Sequence, residues 1–428
     1  MMLVDTALAR RESEGRPLRV GMIGAGFMGR GVARQIIRST PGMVLAAISN
    51  RHIDGAARAF REAGLDHFRT ADSAADVAAA IAAGVPVITE DAMAICAADG
   101  IDVICDVTGA VEFGAAVTLA AFEAGKHVVT MNAELDATVG PLLAHRARAA
   151  GLIFSGVDGD QTGVEINLFR FVSGMGLTPL VLGNIKGLQD PYRTPTTQAG
   201  FAAQWGQDPA MVTSFADGTK VSFEQAIVAN ATGMTVSRRG MGGAEHRGHV
   251  DELTGAYDLD QLQSLGGVVD YVVGAKPGPG VYCLATMEDP AQRHYLNLYK
   301  LGEGPLYSFY TPYHLCHFQV PSSLIRAVDF NDATIVASGA PQVEVVATAK
   351  TDLATGTEID GLGGYLTYGE AERADVTRDE RLLPMGLAEG CILVRPVAKD
   401  ATLTYDDVRL PARRLLDELR EEQRAVFG

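Results

Sequence analysis

The sequence predicts an α/β protein that begins with a doubly wound parallel sheet, and three observations carry this prediction. From residue 19 to about residue 155, short aliphatic and β-branched runs alternate with longer Ala-rich helical stretches. A glycine-rich turn joins the first predicted strand to the helix after it. The 428 residues are 47% hydrophobic and 21% charged, which is typical of a globular protein. At about 150 residues per domain, they suggest two or three domains.

The first region alternates strands and helices in a regular order. Its predicted strands are residues 19–23, 44–49, 103–107, 127–131 and 152–155. Its predicted helices are residues 28–39, 53–63, 73–83, 110–124 and 140–150, preceded by a short amphipathic helix at 1–15 that we expect against the domain's edge. Each strand is a continuous apolar run, as in strands buried on both faces of a parallel sheet. Strands joined by helices indicate right-handed crossovers and therefore a doubly wound sheet.

Two changes in composition divide the rest of the chain. Residues 184–238 are rich in Gln, Thr, Asn, Pro and aromatic side chains and contain the single tryptophan, Trp205. From about residue 341, short β-like runs alternate with Gly and Asp turns, and a charged amphipathic helix follows at 412–426. We therefore predict three domains: residues 1–156, an α+β domain at 157–340, and a small β-rich domain at 341–428.

The glycine-rich turn is the strongest single motif in the sequence. It follows an apolar strand directly and opens a helix, the context in which such a turn binds a dinucleotide pyrophosphate. The predicted phosphate-binding residues are Gly24, Ala25, Gly26, Phe27, Met28 and Gly29. An ordinary glycine-rich turn is the alternative. The motif predicts a Rossmann-type cofactor domain at residues 1–156.

The end of the second strand indicates which dinucleotide is bound. An NAD site usually has an acidic residue there, whereas this chain has Ser49, Asn50 and Arg51. Hydroxyl, amide and guanidinium groups suit the 2′-phosphate of NADP, so we expect NADP (NADPH) rather than NAD. The alternative for Arg51 is a solvated arginine in a loop.

The ends of the two later strands provide candidates for the nicotinamide side. Because strand carboxyl ends point into the ligand crevice of such a sheet, Thr108, Gly109 and Asn132 are predicted beside the nicotinamide ribose or ring. Glu134 is predicted near the ring or the substrate, where it would assist proton transfer. A helix N-terminal acid favoured by the helix dipole is an equally good interpretation of Glu134.

Candidate chemistry in the second domain centres on one lysine and three acids. Reduction of a carbonyl needs a donor near the developing alkoxide, and Lys186 is the candidate, against the alternative of a solvated lysine beside a turn. Asp160 is a candidate acid or base. Asp158, Asp160 and Glu165 are possible ligands of a divalent cation, although Asp-Gly-Asp is more typical of a turn. The candidate substrate-binding residues are Asn184, Arg193, Gln198 and Asn230.

Charge and hydropathy narrow the range of partners. The 36 basic and 52 acidic residues give a net charge of −16, which disfavours nucleic acid. No apolar run approaches the roughly 18–20 residues that span a bilayer, and no secretory signal is visible, so we expect a cytoplasmic protein. In so acidic a chain, an anionic cofactor and an anionic small-molecule substrate need local cations, which Arg51 and Lys186 would supply.

Several segments carry resemblances to known families. The segments DVTGA, HVVTMNAE and FSGVDGDQTG follow the order of the homoserine dehydrogenase family, which has a lysine where this chain has Ala133. The chain more closely resembles the 1-deoxy-D-xylulose 5-phosphate reductoisomerase-like enzymes. The segments that carry this resemblance are IGAGFMG, VTMNAE, VANATGM, GVVDYVVGAKPGPGVY and KLGEGPLYSFYTPYHL. The final domain is similar to the SAF domain, a small β-clip.

These resemblances imply an NADPH-dependent oxidoreductase, and more specifically a reductoisomerase-like reaction that also involves a divalent cation. Residues 157–340 would form the substrate-binding, catalytic and oligomerisation domain. The SAF-like runs and the last helix suit an interface, so we expect a homo-oligomer. Two alternatives stay open: a homoserine-dehydrogenase-like or sugar/polyol dehydrogenase without rearrangement, and an NADP-binding sensor or scaffold without turnover.

Overall fold

The computed structural model describes residues 2–428, which form two compact units. The first unit contains residues 2–160 together with Leu315–Val336 and Glu418–Val426. The second unit contains Gln161–His314, Ala337–Asp417 and Phe427–Gly428. The division into three domains, drawn from composition, remains a prediction. No helix among the described residues is long and apolar enough to cross a membrane.

The first 160 residues contain seven helices and seven strands within the described part of the chain. The helices are α1 (Met2–Ser13), α2 (Phe27–Ser39), α3 (Ile53–Glu62), α4 (Ala74–Ala82), α5 (Ala92–Ala97), α6 (Val111–Glu123) and α7 (Ala133–Ala149). The strands are β1 (Leu18–Ile23), β2 (Met43–Ser49), β3 (Arg69–Thr70), β4 (Val87–Thr89), β5 (Val103–Asp106), β6 (His127–Thr130) and β7 (Phe154–Ser155).

All seven strands form one parallel sheet in the order β3-β4-β2-β1-β5-β6-β7. This arrangement confirms the predicted doubly wound α/β fold. The core is made of aliphatic strand residues packed against α2, α3 and the early helix α1. Except for the start of α7, the predicted strands and helices match within a few residues, but β3, β4 and α5 were missed. Each of them is six residues or fewer, too short for periodicity to register.

Helix α7 begins seven residues earlier than predicted. The side chain of Asn132 accepts a hydrogen bond from the backbone N–H of Leu135 at 3.1 Å and so caps the helix. Gly140, where the predicted helix begins, and Pro141 both lie inside α7. The stabilisation from the Asn132 cap therefore outweighs the destabilising effect of a glycine and a proline inside the helix.

The second unit is built on a five-stranded mixed sheet. Its elements up to residue 314 are α8 (Gln161–Gly174), β8 (Thr178–Lys186), α9 (Pro195–Trp205), α10 (Pro209–Asp217), α11 (Thr219–Thr232), β9 (Ala244–Glu245), α12 (Leu259–Leu265), β10 (Val268–Val273), β11 (Gly280–Thr286), α13 (Pro290–Leu298) and β12 (Leu306–Thr311). The strand order is β12-β11-β8-β10-β9. Strand β8 pairs with β10 in parallel and with β11 antiparallel, so it lies at the centre of the sheet.

The remaining elements are divided between the units. They are α14 (Cys316–Asp329), β13 (Val343–Ala349), β14 (Thr367–Arg373), α15 (Ala374–Asp379), β15 (Ile392–Leu393), β16 (Val408–Arg409) and α16 (Leu415–Phe427). Helix α14 and most of α16 lie in the first unit and the others in the second. Helix α14 packs against α2 and α1 in the first unit. In the second unit, the β13–β14 hairpin packs against α11. Short strands with turns and a last helix follow residue 341, as predicted.

Candidate functional site

The nucleotide loop, residues 24–29, has the backbone geometry that a pyrophosphate requires. Gly24 has a φ of +102°, and a Cβ atom there would lie 3.1 Å from the carbonyl oxygen of Val107. A Cβ at Gly29 would lie 2.8 Å from the carbonyl oxygen of Gly24, so helix α2 packs closely on the turn. At Gly26 a Cβ would meet nothing within 4 Å. The loop is therefore tight at its two ends and open in the middle.

Helix α2 presents its N-terminus at this open point. Gly26 is the N-cap residue and provides no side-chain cap, so the first N–H groups of this 13-residue helix are available to an anion. Phe27 and Met28 form its first turn, with the Phe27 side chain exposed. The described residues thus fit the diphosphate of a dinucleotide.

Asn50 supports the loop from the end of β2. Its side-chain oxygen accepts a hydrogen bond from Ala25 N at 3.1 Å, and its amide nitrogen donates to the carbonyl of His52 at 2.9 Å. Ser49 is buried, and its carbonyl accepts from Gly24 N at 2.8 Å. Both residues were predicted to contact a 2′-phosphate. In the structure, the contacts of Asn50 hold the loop in shape, and a phosphate contact by either residue stays a prediction.

Arg51 is exposed at the same strand end. No ion pair or side-chain hydrogen bond to Arg51 occurs within residues 2–428. Arg51 lies two residues after the end of β2, and its contact with a 2′-phosphate stays a prediction.

A buried carboxyl group lies among the residues predicted for the nicotinamide side. Asp106, at the end of β5, accepts hydrogen bonds from Thr108 N at 2.9 Å, from Thr108 Oγ1 at 2.7 Å and from Thr130 Oγ1 at 3.2 Å. Burial raises the pKa of Asp106, and these hydrogen bonds oppose the rise. Asn132 donates to Thr108 Oγ1 at 3.3 Å and to the carbonyl of Ala110 at 3.1 Å. The structure therefore brings two predicted residues, Thr108 and Asn132, together around a carboxyl that was not assigned a role.

The other two residues predicted for this side lie at helix starts. Gly109 is exposed in the turn before α6. Glu134 is buried in the first turn of α7, where the helix dipole favours an acid, and its proton-transfer role stays a prediction.

The two acids of the Asp-Gly-Asp turn have partners within the first unit. Asp158 accepts from Arg326 Nη1 and from Thr334 Oγ1, each at 3.2 Å. Asp160 accepts from the Cys316 thiol at 3.4 Å. A guanidinium at Asp158 competes with any divalent cation for the same carboxylate, so its surroundings do not fit a dedicated cation ligand.

The Lys186 cluster, defined as Lys186, Asp217, Glu224 and the ring of Tyr271, lies in the second unit. The amine of Lys186 donates to the carbonyl oxygen of Phe215 at 2.8 Å and lies 6.0 Å from the centre of the Tyr271 ring. Desolvation lowers the pKa of Lys186 to about 8, and the nearby charges of Glu224 and Asp217 oppose this. The amine is mostly protonated at neutral pH and releases its proton near pH 8.

A row of buried polar side chains begins at Asn184 on β8, the strand that also carries Lys186. Asn184 donates to Gln161, Gln161 donates to Glu165 at 2.9 Å, and Gln225 donates to the same oxygen of Glu165 at 2.8 Å. Burial raises the pKa of Glu165 well above its ordinary range, and the hydrogen bonds from Gln161 and Gln225 oppose the rise. Its other oxygen has no hydrogen-bond partner among the described residues. Two amides would therefore compete with a cation for one oxygen of Glu165, and a role as a cation ligand stays a prediction.

Three further predicted substrate residues have partners in the second unit. Arg193 forms an ion pair with Asp190 at 2.9 Å, and Gln198 is buried in the first turn of α9. Asn230 is buried and bonds through its amide to the backbone of residues 342 and 343. The hydrogen bonds of Asn230 therefore support the start of β13. A substrate contact by Arg193, Gln198 or Asn230 stays a prediction.

Sequence reasoning missed the residues that surround Lys186. Glu224 and Gln225 form an adjacent polar pair inside a helix that is otherwise almost wholly buried. That pattern is a usable signal, because charged residues are rarely buried without a partner or a role. Asp217 had no comparable signal, since an Asp before a Gly is ordinary turn chemistry.

The chain matches two family models. Residues 18–130 match the NAD-binding Rossmann fold of an oxidoreductase family, and residues 159–320 match the catalytic domain of oxidoreductase DRL. Two regions of the chain thus resemble oxidoreductase domains, an NAD-binding Rossmann fold followed by a catalytic domain. Both matched ranges end before residue 341, so the SAF-like identity of the last region stays a prediction.

Comparisons with individual proteins are more limited. Homoserine dehydrogenase of Corynebacterium glutamicum is 42% identical over 65 residues, and this stretch covers 15% of each chain. Myo-inositol dehydrogenase of Lactobacillus casei, solved with NAD(H) and myo-inositol, is similar at 14% identity with a TM-score of 0.40. That match covers 68% of this chain and 74% of the other.

The 1-deoxy-D-xylulose 5-phosphate reductoisomerase of Zymomonas mobilis, solved with NADPH, is similar at 19% identity with a TM-score of 0.34. That match covers 49% of this chain and 56% of the other. The chain therefore spans about half of that reductoisomerase and 15% of the curated homoserine dehydrogenase.

Proposed function

We propose that the protein is an NADPH-dependent reductase of a small, anionic, sugar-like carbonyl compound, and that Lys186 donates to the carbonyl oxygen. The observation that carries the proposal is the Lys186 cluster. Its amine has a pKa of about 8, so it holds a proton at neutral pH and gives it up readily. An oxygen that becomes a hydroxyl during reduction needs such a donor.

The nucleotide loop would hold the cofactor. The N–H groups at the start of α2 would bind the diphosphate, and Thr108, held by Asp106, would lie on the nicotinamide side. NADPH supplies a hydride when it is bound. Lys186 would bind the substrate oxygen, orient the carbonyl and transfer a proton to it.

The preference for NADPH rests on Arg51. We expect Arg51→Ala to weaken NADPH binding about tenfold, since one charge-assisted contact to the 2′-phosphate is lost, and to leave NADH binding within about twofold. Fluorescence titration of both cofactors measures this. Arg69→Ala, at another exposed arginine of the first unit, is the control. Equal losses for the two cofactors would contradict the preference.

The finer proposal is a reductoisomerase-like reaction on 1-deoxy-D-xylulose 5-phosphate. It is supported by the resemblance of the segments quoted above and by a lysine suited to an oxygen of the substrate. No step is derived through a divalent cation, because Asp158 is paired with Arg326 and one oxygen of Glu165 accepts hydrogen bonds from two amides. A SAF-like last domain and a homo-oligomer belong to this proposal.

The test is consumption of NADPH, followed by its absorbance, with 1-deoxy-D-xylulose 5-phosphate, with and without added Mg²⁺ or Mn²⁺. We expect turnover that falls by about 10²-fold or more in Lys186→Met, with a smaller loss in Lys186→Arg. Lys300→Met removes an exposed lysine of the same unit and is the matched control. No NADPH consumption under any of these conditions would eliminate the reductoisomerase reaction.

A dehydrogenase without rearrangement is the second candidate, favoured by the stretch that is 42% identical to homoserine dehydrogenase. The same assay run with sugar, polyol and amino-acid-derived carbonyl compounds separates the two. Tight NADPH binding without turnover on any of them would instead favour a sensor or scaffold.

A further inference from the structure

One buried lysine from the C-terminal β region is fully engaged in the second unit. Lys350 follows β13, and its amine donates to Asp217 Oδ2 at 2.8 Å, to the carbonyl of Arg193 at 2.7 Å and to the carbonyl of Gly364 at 2.8 Å. Its side chain and that of Asp217 are 3% and 0% exposed, respectively. All three ammonium protons therefore have acceptors, which makes the arrangement specific rather than a loose surface pair.

One of the segments that Lys350 binds, at the end of α10, also binds Lys186. Asp217 ends α10, and two residues earlier the carbonyl of Phe215 accepts the hydrogen bond from Lys186. Between them, the carbonyl of Ala216 accepts from Asp190 N at 2.8 Å. Three consecutive residues, 215 to 217, thus connect Lys186, the loop after β8 and Lys350.

This connection constrains the amine of Lys186. A lysine side chain has four rotatable bonds and is held in one place only where its acceptor is held. The acceptor here is a backbone carbonyl, and its position depends on where the end of α10 lies. A buried ion pair with three satisfied donors anchors that end, because removing one partner would leave a charge unpaired in the interior.

We propose that Lys350 is a positioning residue for Lys186, acting through Asp217 and the carbonyl of Phe215. The proposal rests on the proposed function of Lys186 and gives the C-terminal β region a role in it. Residues 337–417 then support the substrate side of the second unit rather than forming an independent module.

The charges that face Lys186 determine how each variant would change it. Asp217 comes from α10, Glu224 from α11, and the Tyr271 ring from β10. Removing the charge of Asp217 leaves Glu224 as the one acid opposing desolvation of the amine. Removing the charge of Lys350 instead takes away the cation that offsets Asp217, so the net negative potential at Lys186 becomes stronger.

The experiment measures the proton affinity of Lys186 without needing a substrate. Each variant of the full chain is labelled with trace acetic anhydride over a range of pH, and the labelled fraction of Lys186 is read by peptide mass spectrometry. We expect Asp217→Asn to lower the midpoint for Lys186 by about one pH unit and Lys350→Met to raise it by a similar amount. Lys350→Arg should stay near the wild-type midpoint, and Lys300→Met is the control.

Opposite shifts in the two variants support the proposal. Unchanged midpoints in both would overturn it. A rise in both toward the ordinary value of a lysine would also overturn it, because that result means general loosening of the fold. Labelling needs no turnover, so this measurement still tests the role of Lys350 if the protein reduces none of the proposed substrates. Where turnover is found, Lys350→Met should lower kcat more than it raises KM.

Discussion

Asp136 shows what one buried acid does in this protein. It lies on α7 in the first unit and is almost completely buried, and desolvation raises its pKa to about 7. Its carboxylate oxygen also occupies the space that a side chain at Gly140 would need, since a Cβ there would lie 2.0 Å from it. A carboxyl group that keeps its proton in the folded chain but loses it in the unfolded chain makes the free energy of unfolding depend on pH.

The sign of this dependence follows from proton binding. Between the unfolded pKa near 4 and the folded pKa near 7, the folded chain holds a proton that the unfolded chain has released, so stability falls as the pH rises through this range. We expect Asp136→Asn to be close to wild type at about pH 5 and more stable at about pH 8, by on the order of 3 kcal/mol. Urea unfolding at both pH values measures it, with Glu123→Gln as control. The same difference at both pH values would contradict the shifted pKa.

At the scale of elements, side chains of the C-terminal helix α16 form hydrogen bonds with the backbone of α7. Pro141 lies inside α7 and has no N–H to donate. The side-chain amide of Gln423, on α16, accepts from Leu142 N at 3.2 Å and donates to the carbonyl of Thr138 at 3.5 Å. Arg420 donates to the same carbonyl at 3.0 Å. Side chains from α16 thus bond to the backbone at the turn where the proline weakens the helix.

We expect Gln423→Ala to destabilise the first unit by about 1–3 kcal/mol, because buried backbone groups of α7 lose their partner. Glu421→Ala changes an exposed position of the same helix and should have little effect. Urea unfolding followed by circular dichroism compares the two. Equal stability of both variants would show that solvent replaces the amide of Gln423.

At the scale of the whole molecule, the first unit is assembled from three separate segments. Residues 2–160 supply the sheet, Leu315–Val336 supplies α14, and Glu418–Val426 supplies most of α16. Arg11 on α1 donates to Asp329 at the end of α14 at 2.9 Å, and Arg146 on α7 forms an ion pair with Glu422 on α16. The first unit therefore depends on segments that come much later in the chain than its sheet.

A chain shortened after residue 417 should lose stability in its first unit. The reason is that it lacks Arg420 and Gln423, whose side chains bond to the backbone of α7. We expect a lower Tm and a smaller rise in Tm on adding NADPH, because less of the chain is competent to bind it. A chain that lacks only residues 427 and 428 is the control. Unchanged NADPH stabilisation in the chain ending at 417 would show that the last helix is dispensable.

Local sequence determined the parallel sheet and the nucleotide loop. Continuous apolar runs and a strand–glycine–helix pattern involve neighbours in the chain, so the positions of β1, β2, β5 and β6 and the roles of Gly24 and Gly29 were predictable. Lys186 was found in the same way, from its glycine neighbours in a polar region. Asn50 was placed at the right strand end, although its amide supports the loop.

Tertiary structure alone decided what surrounds those residues. Phe215, Asp217, Glu224 and Lys350 meet around Lys186 from segments that are about 30 to 160 positions away, and no spacing rule connects them. The turn of α7 that contains its proline is supported by Gln423 of α16, which is 281 positions away from Leu142. The physical reason is common to both: burial and ion pairing are set by long-range packing, whereas strands and turns are set by adjacent residues.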